Sequence, residues 1–200
     1  MRVMVVHAHP VESSYNRALR DAVIETLQAN GHEVDLVDLH AEEFDPVLSR
    51  ADRIRYHDVP GNITPAIQPY VDRLMSTEAI VFVFPVWNYG FPAILKGYLD
   101  RVFLPGVAFV LEGGDDPEHG TLRPNLTHIR KAAFVTSYGG DRWRTMAMGD
   151  PPRRVARRWG WATFRGMRPP DYLAFYDMNK ATPERLAAFI RKVKRHFARW

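Results

Sequence analysis

The sequence predicts an α/β fold: a parallel sheet wound by helices on both faces. Three observations carry that reading. A β-rich run, an amphipathic helix and a second β-rich run follow one another within the first 40 residues, which makes a βαβ unit. The run AIVFVF at 79–84 has no polar member, as a strand covered on both faces requires. Strand-like runs then keep alternating with helical patterns to the end of the chain, so that five strands make a doubly wound, three-layer arrangement.

The elements follow in order. Arg2 to Val6 is the first strand. Tyr15 to Asn30 is a helix whose apolar face is Ala18, Leu19, Ala22, Val23 and Leu27, capped by Ser14 and ended by Gly31. Glu33 to Leu39 alternates as a second strand, and the crossover to it should be right-handed. Residues 40–68 form a long connection punctuated by Pro46, Pro60 and Pro65, with a short helix around Ala51. Pro69 to Met75 is helical, Ala79 to Phe84 is the buried third strand, and Pro92 opens the helix PAILKGYLDRVF. Val107 to Leu111 is a small additional strand, and GGDDPEHG at 113–120 is a turn or exposed loop. Ala132 to Thr136 is the fourth core strand and Tyr172 to Tyr176 the fifth. The arginine-rich stretch between them is helical, and Pro183 to Phe197 is the last helix, capped by Thr182.

The 200 residues suit a single domain spanning 1–200, and 46% hydrophobic with 25% charged residues is enough for a core and excludes a disordered low-complexity chain. Absence of cysteine excludes a disulfide scaffold, a cysteine nucleophile, a thiolate zinc site and cysteine-ligated iron–sulfur. No apolar run approaches the roughly 20 residues needed to cross a bilayer, and no secretory pattern opens the chain. The expected location is cytoplasmic.

The net charge of +4 conceals −8 over residues 1–129 and +12 over residues 130–200. The densest basic patch is Arg153, Arg154, Arg157 and Arg158, with Arg154 and Arg157 or Arg158 on one helical face. It reads as a solvated or subunit-contacting face, or as an attractor for an anionic dinucleotide. Nucleic acid is not expected as a partner, since no zinc finger, KH loop or aromatic RNA-binding strand accompanies the arginines.

In such a sheet ligands gather beyond the carboxyl ends of the strands. Three loops should meet there. HAHPVESSYN at 7–16 sets Ser13, Ser14 and Asn16 around a helix start, where free amides and the dipole suit a phosphate, with His9 as a further donor. It has neither a Walker lysine nor G-x-G-x-x-G. PVWNYG at 85–90 places Trp87 and Tyr89 on either side of Asn88, a wall for a planar heterocycle. TSYGG at 136–140 offers Thr136, Ser137 and two glycines that permit close backbone approach. Together they describe a flavin mononucleotide pocket. Three other features read more plainly. His7 and His9 lack a third metal ligand, Asp35 and Asp38 read as surface residues, and no Ser-His-Asp arrangement appears.

AHPVESSYN at 8–16, GHEVDLVDLH at 31–40, FPVWNYGFPAILKGYLDRVFLPGVAF at 84–109 and TSYGG at 136–140 resemble the flavodoxin-like NAD(P)H:quinone oxidoreductase family. That family includes modulators of drug activity and oxidoreductases ancillary to potassium efflux. The resemblance covers most of the first 140 residues and is looser beyond. It implies a flavodoxin-like three-layer sandwich with a five-stranded parallel sheet in order 2-1-3-4-5. It also implies a homodimer, with a membrane transporter as a possible further partner.

By the same resemblance, His9, Ser14, Tyr15 and Asn16 hold the phosphate end of the flavin. Pro85, Val86, Trp87, Asn88 and Tyr89 contact its ring and ribityl chain, and Thr136, Ser137, Gly139 and Gly140 face the ring from the third loop. The implied reaction carries hydride from NAD(P)H through flavin N5 to a quinone, azo or nitro acceptor. The alternatives are an electron carrier or an ancillary subunit of a transporter. The Trp-Asn-Tyr order, where FAD-binding quinone reductases place Gln-Trp-Phe, resembles FMN-dependent azoreductases, so FMN is expected, with FAD the close alternative. No residue matches the family's acid–base pair, and Trp143 is a candidate cover for the flavin.

Overall fold

The computed structural model describes residues 1–112, 121–164 and 168–200. In chain order the elements are β1 (Arg2–His7), α1 (Tyr15–Ala29), β2 (Glu33–Asp38), α2 (Arg50–Ile54), α3 (Gln68–Met75), β3 (Ala79–Val86) and α4 (Ala93–Val102). They continue as β4 (Phe109–Glu112), β5 (Thr121–Pro124), β6 (Lys131–Tyr138), α5 (Arg142–Ala147), α6 (Pro151–Phe164), β7 (Asp171–Phe175) and α7 (Pro183–Phe197). Five strands form one sheet in the order β2-β1-β3-β6-β7, every pair parallel, which is the expected 2-1-3-4-5. Among the described residues no helix is long and apolar enough to cross a membrane.

Alternation along the strands divides the core in two. Val3, Val5, Val81, Val83, Ala133 and Val135 meet Leu19, Val23 and Leu27 of α1 and Phe189, Val193 and Phe197 of α7. Met4, Val6, Ile80, Phe82, Phe84 and Phe134 face the other way, toward Leu74 of α3, Leu95, Tyr98 and Val102 of α4, and Ala156 and Phe164 of α6. β3 sits mid-sheet and is buried throughout, which is why its sequence shows no alternation. α4 lies unusually close to the connection after β2. A Cβ built on Gly97 would collide with the Pro46 carbonyl oxygen, so only glycine permits this contact.

The structure corrects several expectations. β3 and β6 each run two residues past their expected ends, to Val86 and Tyr138, and so carry the second and third loops into the sheet edge. The small strand after α4 is Phe109–Glu112, paired antiparallel with β5 outside the main sheet, and GGDDPEHG lies outside the described residues. The sequence pattern does not reveal α5: it has six residues, too few for an apolar period, though Asp141 caps it by accepting from the Arg144 amide. Asp35 and Asp38 are not surface residues. Asp35 receives Arg73 at 2.7 Å and Asp38 receives Arg20 at 2.8 Å, both aspartates being less than one-fifth exposed.

Candidate active site

The carboxyl ends of β1, β3 and β6 lie side by side, with Val83 in register with His7 and Pro85 with Ser137. The three loops meet there. Ser14 caps α1, its Oγ accepting from the Arg17 amide at 3.2 Å, and α1 therefore opens toward this edge with its first amides unsatisfied by the helix. Asn16 is buried and donates from Nδ2 to Ser137 Oγ at 2.8 Å, tying the first loop to the third. Trp87 bridges the first and second loops, its ring edge-on to His9 at a centroid distance of 5.7 Å.

The second loop is a tight turn. The Gly90 amide donates to the Trp87 carbonyl at 2.9 Å, and Trp87 returns the bond at 3.3 Å. Its two central residues, Asn88 and Tyr89, have φ of 48° and 56°. That left-handed pair belongs to two-residue reversals, and for a tyrosine it costs about 1–3 kcal/mol. The cost holds both aromatic rings at the surface, with Trp87 45% and Tyr89 38% exposed.

A cavity of about 430 Å³ opens between the second and third loops. Of the predicted residues it is lined by Val86, Trp87, Asn88, Tyr89, Gly139 and Gly140. A Cβ on Gly140 would meet nothing within 4 Å, so a flat ring can approach its backbone unobstructed. Thr136 Oγ1 and Asn16 Oδ1 are buried near this edge without a hydrogen-bond partner. Polar atoms left in this way call for a ligand or water. Tyr15 departs from its expected role: its hydroxyl donates to the Leu186 carbonyl at 2.9 Å and its ring packs on Phe175, so its side chain serves the α7 layer. Only its backbone amide is left at the helix start. The His9 Nδ1 accepts from the Val11 amide at 3.0 Å, shaping the first loop and leaving Nε2 to act outward.

Sequence reading misses three residues of the cavity wall, Tyr138, Thr145 and Asn179, and the cluster behind it. Tyr138 donates to Asp150 Oδ1 at 2.7 Å and meets the Tyr172 hydroxyl at 2.5 Å, while Tyr176 reaches Asp150 Oδ2 at 3.4 Å and stacks on Tyr138. Burial, then Tyr172 and Asp150, push the Tyr138 phenol far above its ordinary range, so it stays protonated. The one signal in the sequence is the tyrosine inside TSYGG.

At the β1 end, burial draws the His7 imidazole below its ordinary pKa against the raising influence of Asp38. Burial alone would raise Asp38, but hydrogen bonds from His7 and the Ala41 amide, with the charge of Arg20, bring it below the usual carboxylate value. A carboxylate only accepts, so neutral His7 carries its proton on Nδ1, 3.0 Å from Asp38 Oδ2. Of the α6 arginines, Arg153 reaches the cluster, its guanidinium 5.7 Å from the Tyr172 ring centroid, and with Arg154, Arg157 and Arg158 it lines a separate recess beside Trp161.

The model of the family described as having a flavodoxin-like fold matches residues 1–197. This chain belongs to the flavodoxin-like fold family. It is 31% identical over 148 residues to the uncharacterized NAD(P)H oxidoreductase YcaK of Escherichia coli (strain K12), covering 74% of this chain and 69% of that protein. It is 33% identical over 123 residues to NAD(P)H dehydrogenase (quinone) 1 of Cavia porcellus, covering 54% of this chain and 45% of that protein. It thus spans about half the length of the Cavia relative. Among solved flavodoxin-like structures, an FMN-dependent NADH-azoreductase from Bacillus anthracis str. Ames Ancestor, in complex with FMN, superposes with a TM-score of 0.72 at 18% identity, covering 99% of this chain and 98% of that one.

Proposed function

We propose that this chain is a flavin-dependent NAD(P)H oxidoreductase that reduces quinones or similar flat electrophiles, with FMN as its cofactor. The observation that carries the reading is the sheet edge, where a cavity walled by an aromatic turn and a glycine-lined rim opens near the start of α1, which is tied to those loops by the Asn16–Ser137 hydrogen bond and the His9–Trp87 contact. Bound flavin supplies a two-electron relay, in which the hydride of NAD(P)H and one proton from solvent convert a quinone to its hydroquinone.

The residues divide the binding. The opening amides of α1 and the Ser14 hydroxyl, which keeps its proton while its oxygen caps the helix, hold the phosphate. Ser137 accepts from Asn16 and so keeps its own hydroxyl proton to donate. Trp87 and Tyr89 pack against the ring, and Asn88 at their centre meets a polar edge. Gly139 and Gly140 bring backbone close to it, where fixed dipoles stabilise added negative charge. With Tyr138 held in its hydroxyl cluster, solvent supplies the protons. The same reading takes the enzyme to be cytoplasmic and homodimeric, and the exposed Trp143, Met146 and Met148 on and after α5 support the dimer. Sedimentation at two protein concentrations tests the dimer.

The deciding experiment is an absorbance spectrum of the purified protein, with mass identification of any released flavin and anaerobic titration with NADH and NADPH. Bound FMN bleached by either nucleotide is the expected result. Failure to bind FMN or FAD after reconstitution refutes the reading, and bound flavin that neither nucleotide bleaches points to an electron carrier.

A further inference from the structure

We propose that the acceptor carries a hydrocarbon tail, and that this tail lies in a second recess that shares the Trp87–Gly90 turn with the strand-edge cavity. The inference rests on the oxidoreductase reading and adds the acceptor class.

The recess has a volume of about 540 Å³, within the usual range for small-ligand sites. Tyr89 lines both it and the strand-edge cavity, and Gly90 continues the wall. Beyond the turn its surface comes from Phe91, Leu99 and Phe103 on the α4 side and from Pro152, Val155 and Trp159 of α6. Lys96 and Asp100 are its only charged lining residues among those described, and they satisfy each other at 2.5 and 2.6 Å. Neither charge needs a partner from a ligand. The first cavity, by contrast, has Asn88, Thr145 and Asn179 in its wall and buried polar atoms close by. An apolar recess that shares Tyr89 with the flavin's cavity fits the hydrocarbon chain of an acceptor whose flat head stacks on the flavin. A compact quinone stacked on the flavin held in the first cavity does not reach the recess. Val155 is half exposed at the recess, so the apolar surface is open to an entering chain.

The test compares two acceptors with one head group, 2,3-dimethoxy-5-methyl-1,4-benzoquinone and its 6-decyl derivative, on the FMN-loaded protein. Each buried methylene is worth about fourfold in affinity, so even two of them give the tailed compound roughly a tenfold advantage in kcat/KM. Val155→Glu should remove that advantage and leave turnover of the compact quinone unchanged. Val155→Ser, a gentler change, should move it in the same direction. Equilibrium dialysis of the decyl compound against flavin-free protein gives a readout independent of turnover, with binding expected in the wild type and lost in Val155→Glu. Equal kcat/KM for the two quinones, or equal loss of both in Val155→Glu, overturns the proposal. So does a Val155→Glu protein altered only in sedimentation, which assigns the recess to a second copy. Retained decyl binding with neither quinone reduced upholds the tail site and refutes the oxidoreductase reading instead.

Discussion

Replacing Tyr138 by phenylalanine should destabilise the protein by about 2 kcal/mol, because a hydrogen bond to a charged group contributes roughly 1.5–3 kcal/mol and the ring that fills the space is kept. Its hydroxyl lies 2.7 Å from Asp150 Oδ1 and 2.5 Å from the Tyr172 hydroxyl. Since Tyr138 donates to the carboxylate, Tyr172 donates to Tyr138, and one deletion strips Asp150 of its shortest donor and Tyr172 of its acceptor. The remaining contact, Tyr176 at 3.4 Å, is too long to compensate. Water cannot readily replace the lost group, because Tyr138 and Asp150 are 2% and 8% exposed. For a chain of this size 2 kcal/mol corresponds to a fall in Tm of about 4–8 °C.

The assay is urea unfolding of the flavin-free protein, wild type against Tyr138→Phe, Asp150→Asn and the double variant. The expected coupling energy is above about 1 kcal/mol, since the two groups touch directly. FMN affinity should fall in Tyr138→Phe as well. Tyr138 and Thr145 both line the cavity, and the Asp150 amide is bonded to the Thr145 carbonyl at 2.9 Å, so the cluster braces that wall. A Tyr138→Phe protein within about 0.5 kcal/mol of wild type, the limit for a negligible surface change, would show that this hydroxyl does not hold the cluster together. Additive energies in the double variant would do the same.

Trp87→Ala should weaken FMN binding by roughly tenfold through lost ring contact, measured by flavin fluorescence, with unfolding free energy nearly unchanged because the ring is half exposed. Tyr15→Phe should leave FMN affinity as it is and lower stability by about 1 kcal/mol, the value of its bond to the Leu186 carbonyl. Gly97→Ala should destabilise by about 1–3 kcal/mol despite alanine's better helix propensity, because the added methyl collides with Pro46. Stability should also depend on pH through His7. Its folded pKa is below the unfolded 6.5, so its contribution is complete above that value and is lost as pH falls through the folded pKa. Thermal melts between pH 8 and 5 should show the decline, and His7→Asn should flatten it.

The sheet is legible in the sequence because its signals are local. β1, α1 and β2 read directly from period and capping, and β3 from an apolar run that no surface strand tolerates. The convergence of the three loops is legible because parallel strands must bring their carboxyl ends to one edge. What escapes depends on contacts distant in sequence. Asn179 is remote in the chain from the Trp87–Gly90 turn. It reaches the same cavity wall only because the segment after β7 folds back, with the Asp177 amide bonded to the Gly140 carbonyl at 2.9 Å. Asp38 misleads for the same reason. Its neighbours in sequence suggest a surface residue, whereas its partners His7 and Arg20 come from β1 and α1.

The turn from Trp87 to Gly90 borders both the strand-edge cavity and the apolar recess. A strand that simply ended at Val86 would leave its next side chains free to collapse onto the apolar surface beside them. Two consecutive left-handed residues prevent that, since the reversal fixes where each ring leaves the backbone. Trp87 is thereby set against His9 and the strand-edge cavity, and Tyr89 stands between that cavity and the apolar recess. Backbone strain of this kind persists only where the surrounding structure holds it, here β3 in mid-sheet on one side and α4 on the other. Replacing Asn88 by glycine should relieve part of the strain and raise stability while loosening both rings. A stabilised Asn88→Gly protein with weaker FMN binding is the expected result, measured by urea unfolding and flavin fluorescence. If the variant gained stability with FMN affinity intact, the strained turn would not be what positions the aromatic wall.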